Sequence, residues 1–190
     1  MGELIHRVRN SIVDRERDWT LGADALQWRE ADGKAGRVAY ADIAGLQLID
    51  YASYGGRIYQ CALKPKSGAP LKIRSHSYIS LGNFEDRRQT YAPLIHGLAG
   101  RVAAANPDAR FIAGSTGLWI AWTLVGLLTL VMLGVFFASL GAGSLSINAG
   151  AVALVIAILA VPLVWRQVKS GRAKTFDPKN VPPALIGEAT

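Results

Sequence analysis

Residues 60–74, QCALKPKSGAPLKIR, contain two short apolar runs on either side of a turn-like Pro-Lys-Ser-Gly segment. If the turn centres on Ser67, apolar residues pair on one face, Leu63 with Leu71 and Cys61 with Ile73. Polar or small residues then pair on the other face, Ala62 with Lys72 and Gln60 with Arg74. Because side chains on one face of a strand recur every second position, the pattern predicts an antiparallel hairpin with one buried face. Cys61 is expected inside, where a cysteine behaves as a small hydrophobe.

Similar runs, separated by Gly- and Asp-containing turns, precede this hairpin. They are DWTL (18–21), ALQWRE (25–30), RVAYADI (37–43) and LQLIDYASY (46–54). The Gly55-Gly56 dipeptide predicts a second hairpin, but pairing about it places Asp50 opposite Cys61 on the inner face. A bulge or a shifted register would each remove this mismatch, and the sequence leaves both open.

A helix is predicted to close this part of the chain. Apolar residues recur at helical spacing at Tyr91, Ile95, Leu98 and Val102. Its expected N-cap is Asn83, with Glu85 and Asp86 at the positive helix end, and Asn106-Pro107 is its expected stop. Residues 1–110 therefore predict one domain of about six or seven antiparallel strands and a C-terminal helix.

This order of elements resembles the bacterial pleckstrin-homology-like (PH-like) domains of small membrane proteins. Four features carry the resemblance: the strand with Leu26 and Trp28, the segment Ala39–Leu48 with its Asp42-Ile43-Ala44-Gly45-Leu46 step, the strand Tyr59–Leu63, and the helix with Tyr91. The resemblance covers about residues 15–105. It implies a partly open barrel plugged by the helix, a use in docking or assembly, and no catalytic residues.

A long run without charge follows this domain. No Asp, Glu, Lys or Arg occurs from Phe111 to Trp165, although the 190 residues include 21 basic and 14 acidic ones. A spanning helix needs about 20 apolar residues, so the run predicts two spans, about 115–140 and 148–165, with a short turn between them. The expected fold class is α+β: an antiparallel PH-like β-barrel or sandwich with one C-terminal helix, then a two-helix transmembrane hairpin. Residues 166–190 are expected to be a flexible, basic, Pro-containing tail.

The borders of this run predict its orientation and its contacts. Basic residues on both sides place the two termini in the cytoplasm and the turn in the periplasm, as a multi-pass protein of the bacterial inner membrane. The expected membrane-interface anchors are Trp119, Trp122, Trp165, Arg166 and Lys169. A stripe of small residues favours close helix packing, either within the chain or in a homo-oligomer, at Ala149, Ala153 and Ala157.

The first residues leave two interpretations open. Leu4, Ile5, Val8 and Ile12 form one face of a short helix on the membrane surface, or the segment is an element packed on the domain. No cleaved signal peptide is visible.

The sequence contains no pattern typical of catalysis, metal binding or a cofactor. His6, His76 and His96 lie far apart without metal-ligand spacing, and the phosphate-binding glycine motifs are missing. Ser75-His76-Ser77 places a nucleophile type beside a base. Adjacent strand residues point to opposite faces, however, so these side chains are not expected to converge, and a solvated loop is expected there.

The charge balance and the expected anchor direct the functional hypothesis. The chain carries a net charge of +7, and Lys64, Lys66, Lys72 and Arg74 come from neighbouring strands and one turn. The leading hypothesis is a non-enzymatic, membrane-anchored module that docks or assembles a partner protein or membrane complex, through an exposed strand edge or the groove beside its helix. The alternative is a sensor in which these four residues contact anionic lipid headgroups. An enzyme with an unrecognised site is third, and nucleic acid is not an expected partner.

Overall fold

A computed structural model describes residues 4–53, 56–142 and 172–188. The chain divides into two compact units. Unit 1 consists of Met1–Ala113 together with Lys174–Thr190, and unit 2 of Gly114–Ala173.

Unit 1 begins with a four-stranded antiparallel sheet, here called the first sheet. Its strands follow one another in space as in sequence: β1 (Ile5–Val8), β2 (Arg17–Leu21), β3 (Ala25–Glu30) and β4 (Ala35–Ala39). In β1, His6 and Val8 are buried, whereas Ile5 and Arg7 face outward. The N-terminal segment is therefore a strand packed on the domain, and the surface-helix alternative is wrong because the burial has a period of two.

The second sheet has five strands in the order β11 (Lys174–Thr175), β10 (Arg110–Ala113), β5, β6 and β7. After a 3₁₀ turn at Tyr40–Asp42, the meander consists of β5 (Ile43–Ser53), β6 (Gly56–Pro65) and β7 (Leu71–Arg74). The predicted β6–β7 register is confirmed, with Leu63 opposite Leu71 and Cys61 opposite Ile73.

The β5–β6 register differs from pairing about Gly55-Gly56. Ser53 pairs with Gly56, so that Leu48, rather than Asp50, lies opposite Cys61. Asp50 instead forms an ion pair with Arg57 at 3.1 Å, near the end of the hairpin. A shifted register therefore resolves the mismatch, and an irregularity between Ile43 and Gly45 adjusts the other end of β5.

A small hairpin precedes the closing helix. It consists of β8 (His76–Ser80) and β9 (Asn83–Asp86), and α1 then spans Arg88–Ala105. The predicted helix start is wrong, because Asn83, Glu85 and Asp86 belong to β9 and the N-cap position is Arg87. The predicted apolar face is confirmed, since all four of its residues are fully buried: Tyr91, Ile95, Leu98 and Val102. The helix ends where predicted, with the Asn106 N–H bonded to the Val102 carbonyl.

Residues 174–188 belong to unit 1 and pack against its strands and helix, so the prediction of a flexible tail is wrong for this segment. β10 (Arg110–Ala113) pairs in parallel with β5 and antiparallel with β11 (Lys174–Thr175). Beyond β11, Val181 and Ile186 are buried in the core on either side of a 3₁₀ turn at Pro183–Leu185. Two apolar side chains in a segment with prolines and charges are too few to form a periodic pattern, so the sequence does not predict their burial. Their burial holds the segment against the rest of unit 1. The parallel β10 also corrects the expectation that all strands pair antiparallel.

Unit 2 is described through α2 (Thr116–Gly141), and this helix contains one candidate membrane span. The span covers the 21 residues Trp119–Ser139, whose length and composition suit a bilayer. Its apolar side chains are exposed, with Leu124 at 60% and Leu128 at 62%. We conclude that the helix is apolar enough to cross a membrane.

The expected fold class needs correction at this point. The chain is α+β with mostly strands in several sheets, and the described residues hold two α-helices, of which one is a candidate span. The predicted two-helix transmembrane hairpin is wrong for this part of the chain. The prediction rests on the length of the charge-free run, which shows how many spans could fit into it but not how many helices form.

Several predicted features lie outside the described residues. They are the span at 148–165, the turn before it, the stripe Ala149, Ala153 and Ala157, and the anchors Trp165, Arg166 and Lys169.

Candidate functional site

The outer surface of the second sheet carries a cluster of cations, here called the basic face and defined by Lys64, Lys72 and Arg110. Gly45 of β5 pairs with Lys64 on one side and with Arg110 on the other. Lys72 lies one strand further along, opposite Ala62. All three cations are exposed. The side chains on this face of β5, β6, β7 and β10 include no Asp or Glu.

Gly45 makes this face concave between two of the cations. Strands lie about 4.8 Å apart, so the backbones of Lys64 and Arg110 are about 10 Å apart across Gly45. A depression of about 300 Å³ lies between them. A Cβ atom at Gly45 would lie 2.5 Å from the Arg110 carbonyl oxygen, so only glycine allows this approach of β10. Two long cationic side chains over one notch can approach an anion of phosphate size from both sides.

The four predicted cationic residues separate into different roles. Lys64 and Lys72 belong to the basic face, whereas Lys66 lies in the β6–β7 turn, where its N–H donates to the Asp42 carbonyl. Arg74 is partly buried and donates to the Gln60 side chain at 3.1 Å and to the Asn10 carbonyl. Arg110, and not Arg74, is the third cation of the basic face. Sequence reasoning assigned Arg110 only to the border of the charge-free run, because the parallel pairing of β10 joins positions far apart in sequence.

The groove beside α1, one of the two predicted docking surfaces, is occupied by the C-terminal segment. The rings of Phe176 and Phe111 meet edge to face with centroids 5.8 Å apart, and Ile186 is fully buried. A Cβ at Gly187 would lie 2.6 Å from both the Tyr59 ring and the Arg88 side chain, so the segment is pressed against β6 and α1. The groove therefore already holds a segment of this chain.

The strand edges differ in how they are covered. The outer edge of β7 is bonded by side chains: Asn10 donates to the Lys72 carbonyl and His6 to the Arg74 carbonyl, each at 2.9 Å. β4 ends the first sheet, and within the described ranges no strand pairs with its outer edge. The outward face of the same sheet holds a depression of about 660 Å³ that reaches β4 at Gly36 and Arg37. β4 is therefore an edge strand beside a concave surface.

The segment Ser75-His76-Ser77 is buried, which corrects the prediction of a solvated loop. The Ser75 hydroxyl accepts the Tyr59 N–H at 2.9 Å and lies 2.8 Å from His76 Nδ1. The Ser77 hydroxyl accepts the Arg9 N–H at 3.0 Å. Burial lowers the pKa of His76, opposed by the nearby Asp86. Ser75 is fully buried and His76 nearly so, which places this Ser-His pair inside unit 1.

Of the remaining histidine and cysteine side chains, His6 and Cys61 are buried and His96 is exposed. His6 is buried beneath α1, whereas His96 lies on the surface 3.3 Å from Glu188. Cys61 is fully buried, as predicted, and desolvation raises its pKa to about 12. In the part of the chain that the structure describes, no group of His, Cys, Asp or Glu is placed to hold a metal ion.

The two described tryptophans of the predicted membrane anchors lie on the first turns of the candidate span. Trp119 and Trp122 are both partly exposed, three residues apart on α2. Indole rings favour the interface between lipid and water, which fits their position at the end of the span.

No family model, curated protein or solved structure matches this chain. The PH-like resemblance therefore stays a prediction.

Proposed function

We propose that this chain is a membrane-anchored, non-enzymatic interaction module that docks a partner protein at the cytoplasmic face of the bacterial inner membrane. The observation that carries the proposal is β4, an edge strand beside the depression on the first sheet. An extended partner segment that pairs with β4 gains main-chain hydrogen bonds, and its alternate side chains enter the depression.

The chain path supports the membrane attachment. Only residues 114–118 separate β10 from the candidate span that begins at Trp119. Ala113 pairs with Lys174, so the chain leaves unit 1 and re-enters it at neighbouring positions of one sheet. This arrangement supports placing the whole of unit 1 on one side of the membrane, and the cations Arg110 and Lys174 beside the exit favour the cytoplasmic side.

The charges around β4 favour a partner segment with acidic side chains. Arg29 and Arg37 are exposed on the outward face of β3 and β4. Asp18, the acidic residue that lines the same depression, accepts two hydrogen bonds from Arg7 and is neutralised by it. The lining of the depression thus holds two cations, Arg29 and Arg37, against one carboxylate, so its net charge is positive and complements an acidic partner segment.

Site-specific crosslinking in living cells tests the docking surface. A photo-crosslinking amino acid at position 37 should yield a discrete adduct with another protein, and one at Glu85, exposed on β9, should not. Arg37→Glu should reduce recovery of the same protein at least tenfold, whereas the nearby Lys34→Glu should leave it unchanged. Equal adducts at both positions, or none at position 37, would count against docking at β4.

Anionic lipid is the second candidate ligand, and the basic face is the observation that favours it. Lysine and arginine near a membrane each attract anionic headgroups by about 1 kcal/mol. In nanodiscs with phosphatidylglycerol, the full chain should show slower amide exchange in β6 and β10 than in phosphatidylcholine alone. The double change Lys64→Gln and Arg110→Gln should abolish the difference, and Arg57→Gln should retain it. Exchange that ignores lipid charge would eliminate this candidate.

A further inference from the structure

Two neighbouring loops of unit 1 present large aliphatic side chains to solvent. In the β1–β2 loop the exposed fractions are 66% for Ile12 and 87% for Val13. In the β8–β9 hairpin they are 52% for Ile79 and 95% for Leu81. Single exposed apolar residues are ordinary on a protein surface, but a group of four at neighbouring loop tips indicates a contact site. These four residues are called the apolar tips below.

Arg9 holds the two loops together. Its backbone N–H donates to the Ser77 hydroxyl at 3.0 Å, and its carbonyl accepts the Tyr78 N–H at 2.8 Å. Its guanidinium donates to the Ile12 carbonyl at 2.6 Å and lies over the Tyr78 ring at 5.6 Å. The apolar tips therefore belong to one fixed surface.

Leu81 lies in the turn of the β8–β9 hairpin, at a position where the fold does not require a leucine. Ser80 pairs with Asn83, which leaves Leu81 and Gly82 as the two turn residues. Gly82 has a φ of 76°, which explains the glycine. Leu81 packs on almost nothing, at a position that Asn, Asp, Ser or Pro usually occupies. A contact between Leu81 and a surface outside unit 1 accounts for a leucine at this position.

The apolar tips extend from the end of the second sheet at which the chain departs towards the candidate span. Ala113, the last residue of β10, lies in the same row of the sheet as Leu48, Cys61 and Ile73. β7 ends one residue beyond this row, and β8 begins two residues later at His76. Only residues 114 and 115 lie between Ala113 and α2, and the candidate span begins on the first turn of that helix, at Trp119.

We propose that Ile12, Val13, Ile79 and Leu81 insert into the interfacial region of the lipid bilayer. The tips are convex, and the segments 11–13 and 79–82 carry no charge, which suits shallow insertion among acyl chains. A protein partner would instead need a complementary pocket and would favour aromatic or arginine anchors. The inference rests on the membrane attachment in the proposed function, but not on docking at β4.

Fluorescence from a polarity-sensitive label tests this insertion. Cysteines introduced by Leu81→Cys and Val13→Cys are labelled in the full chain, with Lys34→Cys as a control on the exposed β3–β4 turn. Cys61 is retained because it is fully buried, and the unchanged chain serves as the labelling blank. Each protein is reconstituted as a single copy in nanodiscs of phosphatidylcholine and phosphatidylglycerol.

Labels at positions 13 and 81 should emit at shorter wavelength than the label at position 34, and lipids brominated on the acyl chain should quench them at least threefold more. Emission and quenching equal to those at position 34 would overturn the proposal. A shift without bromine quenching would also overturn it, since the label would then contact protein. Failure of the chain to enter nanodiscs would instead refute the membrane attachment.

Discussion

His6 illustrates how a polar side chain is accommodated inside unit 1. Its Nε2 donates to the Arg74 carbonyl and its Nδ1 accepts from the Thr90 hydroxyl, each at 2.9 Å, so the neutral ring joins β1 to β7 and α1. Burial lowers the pKa of His6 from 6.5 to about 4, with a smaller contribution from the charge of Arg87 and an opposing one from the bond to Arg74. Protonation would add a charge that this site does not stabilise.

This environment predicts a stability that depends on pH. Between pH 6.5 and about 4 the unfolded chain binds a proton at His6 that the folded chain does not. The contribution of His6 to the free energy of unfolding should therefore be constant above pH 7 and fall by up to about 3 kcal/mol towards pH 4. His6→Gln should remove most of this slope in denaturant titrations of the full chain in detergent, while His96→Gln should keep it. A wild-type slope in His6→Gln would refute the assignment.

Gly45 predicts a second effect at the scale of one residue. Gly45→Ala places a Cβ against the Arg110 carbonyl, so β10 must shift, at a cost of about 1–3 kcal/mol. Gly100→Ala is the matched control, because a Cβ on this exposed face of α1 meets no atom within 4 Å and should stabilise the helix by up to about 1 kcal/mol. Unfolding free energies that change equally in both variants would contradict the close approach.

The elements that the sequence predicted well are those fixed by local patterns. The β6–β7 register follows from alternation about Ser67, and the buried face of α1 follows from helical spacing. The β5–β6 register did not follow from the glycine pair. Pairing about Gly55-Gly56 places Asp50 opposite Cys61, whereas in the structure Asp50 lies opposite Tyr59 and Cys61 opposite Leu48.

The C-terminal segment required information that no local pattern contains. Val181 and Ile186 stand in a segment whose prolines and charges are typical of loops, and their contacts lie far away in sequence. β10 was not predicted for the same reason, because it pairs with β5, about 65 residues earlier in the sequence. Of the candidate site, Lys64 and Lys72 were predictable from strand alternation, but Arg110 was not.

The packed C-terminal segment predicts a large effect of one substitution. Ile186→Ala removes a fully buried side chain from the core and should lower the free energy of unfolding by about 2–5 kcal/mol. Lys179→Ala, at an exposed position of the same segment, should change it by less than about 0.5 kcal/mol. The amides of Leu185, Ile186 and Gly187, which are hydrogen-bonded within the segment, should also exchange as slowly as those of β5. Rapid exchange there, with equal stability of both variants, would show that the segment does not close the groove.

At the scale of the whole molecule, the chain combines an ordered β-rich unit with a helix suited to a bilayer. Unit 1 is built from both ends of the chain, and the candidate span follows its last N-terminal strand within a few residues. The charged residues are confined to the parts outside 111–165, whereas unit 2 extends from Gly114 to Ala173. Neither composition nor spacing predicted that the C-terminal segment belongs to unit 1.

The central claim is that unit 1, including its C-terminal segment, lies at the cytoplasmic face of a membrane that the chain enters after Ala113. Labelling of Lys34→Cys and Lys179→Cys by a membrane-impermeant maleimide, in intact and in permeabilised bacterial cells, tests it most directly. We predict that both proteins are recovered in the membrane fraction and that both cysteines react only after permeabilisation. Reaction of either cysteine in intact cells, or recovery of the chain in the soluble fraction, would contradict the account.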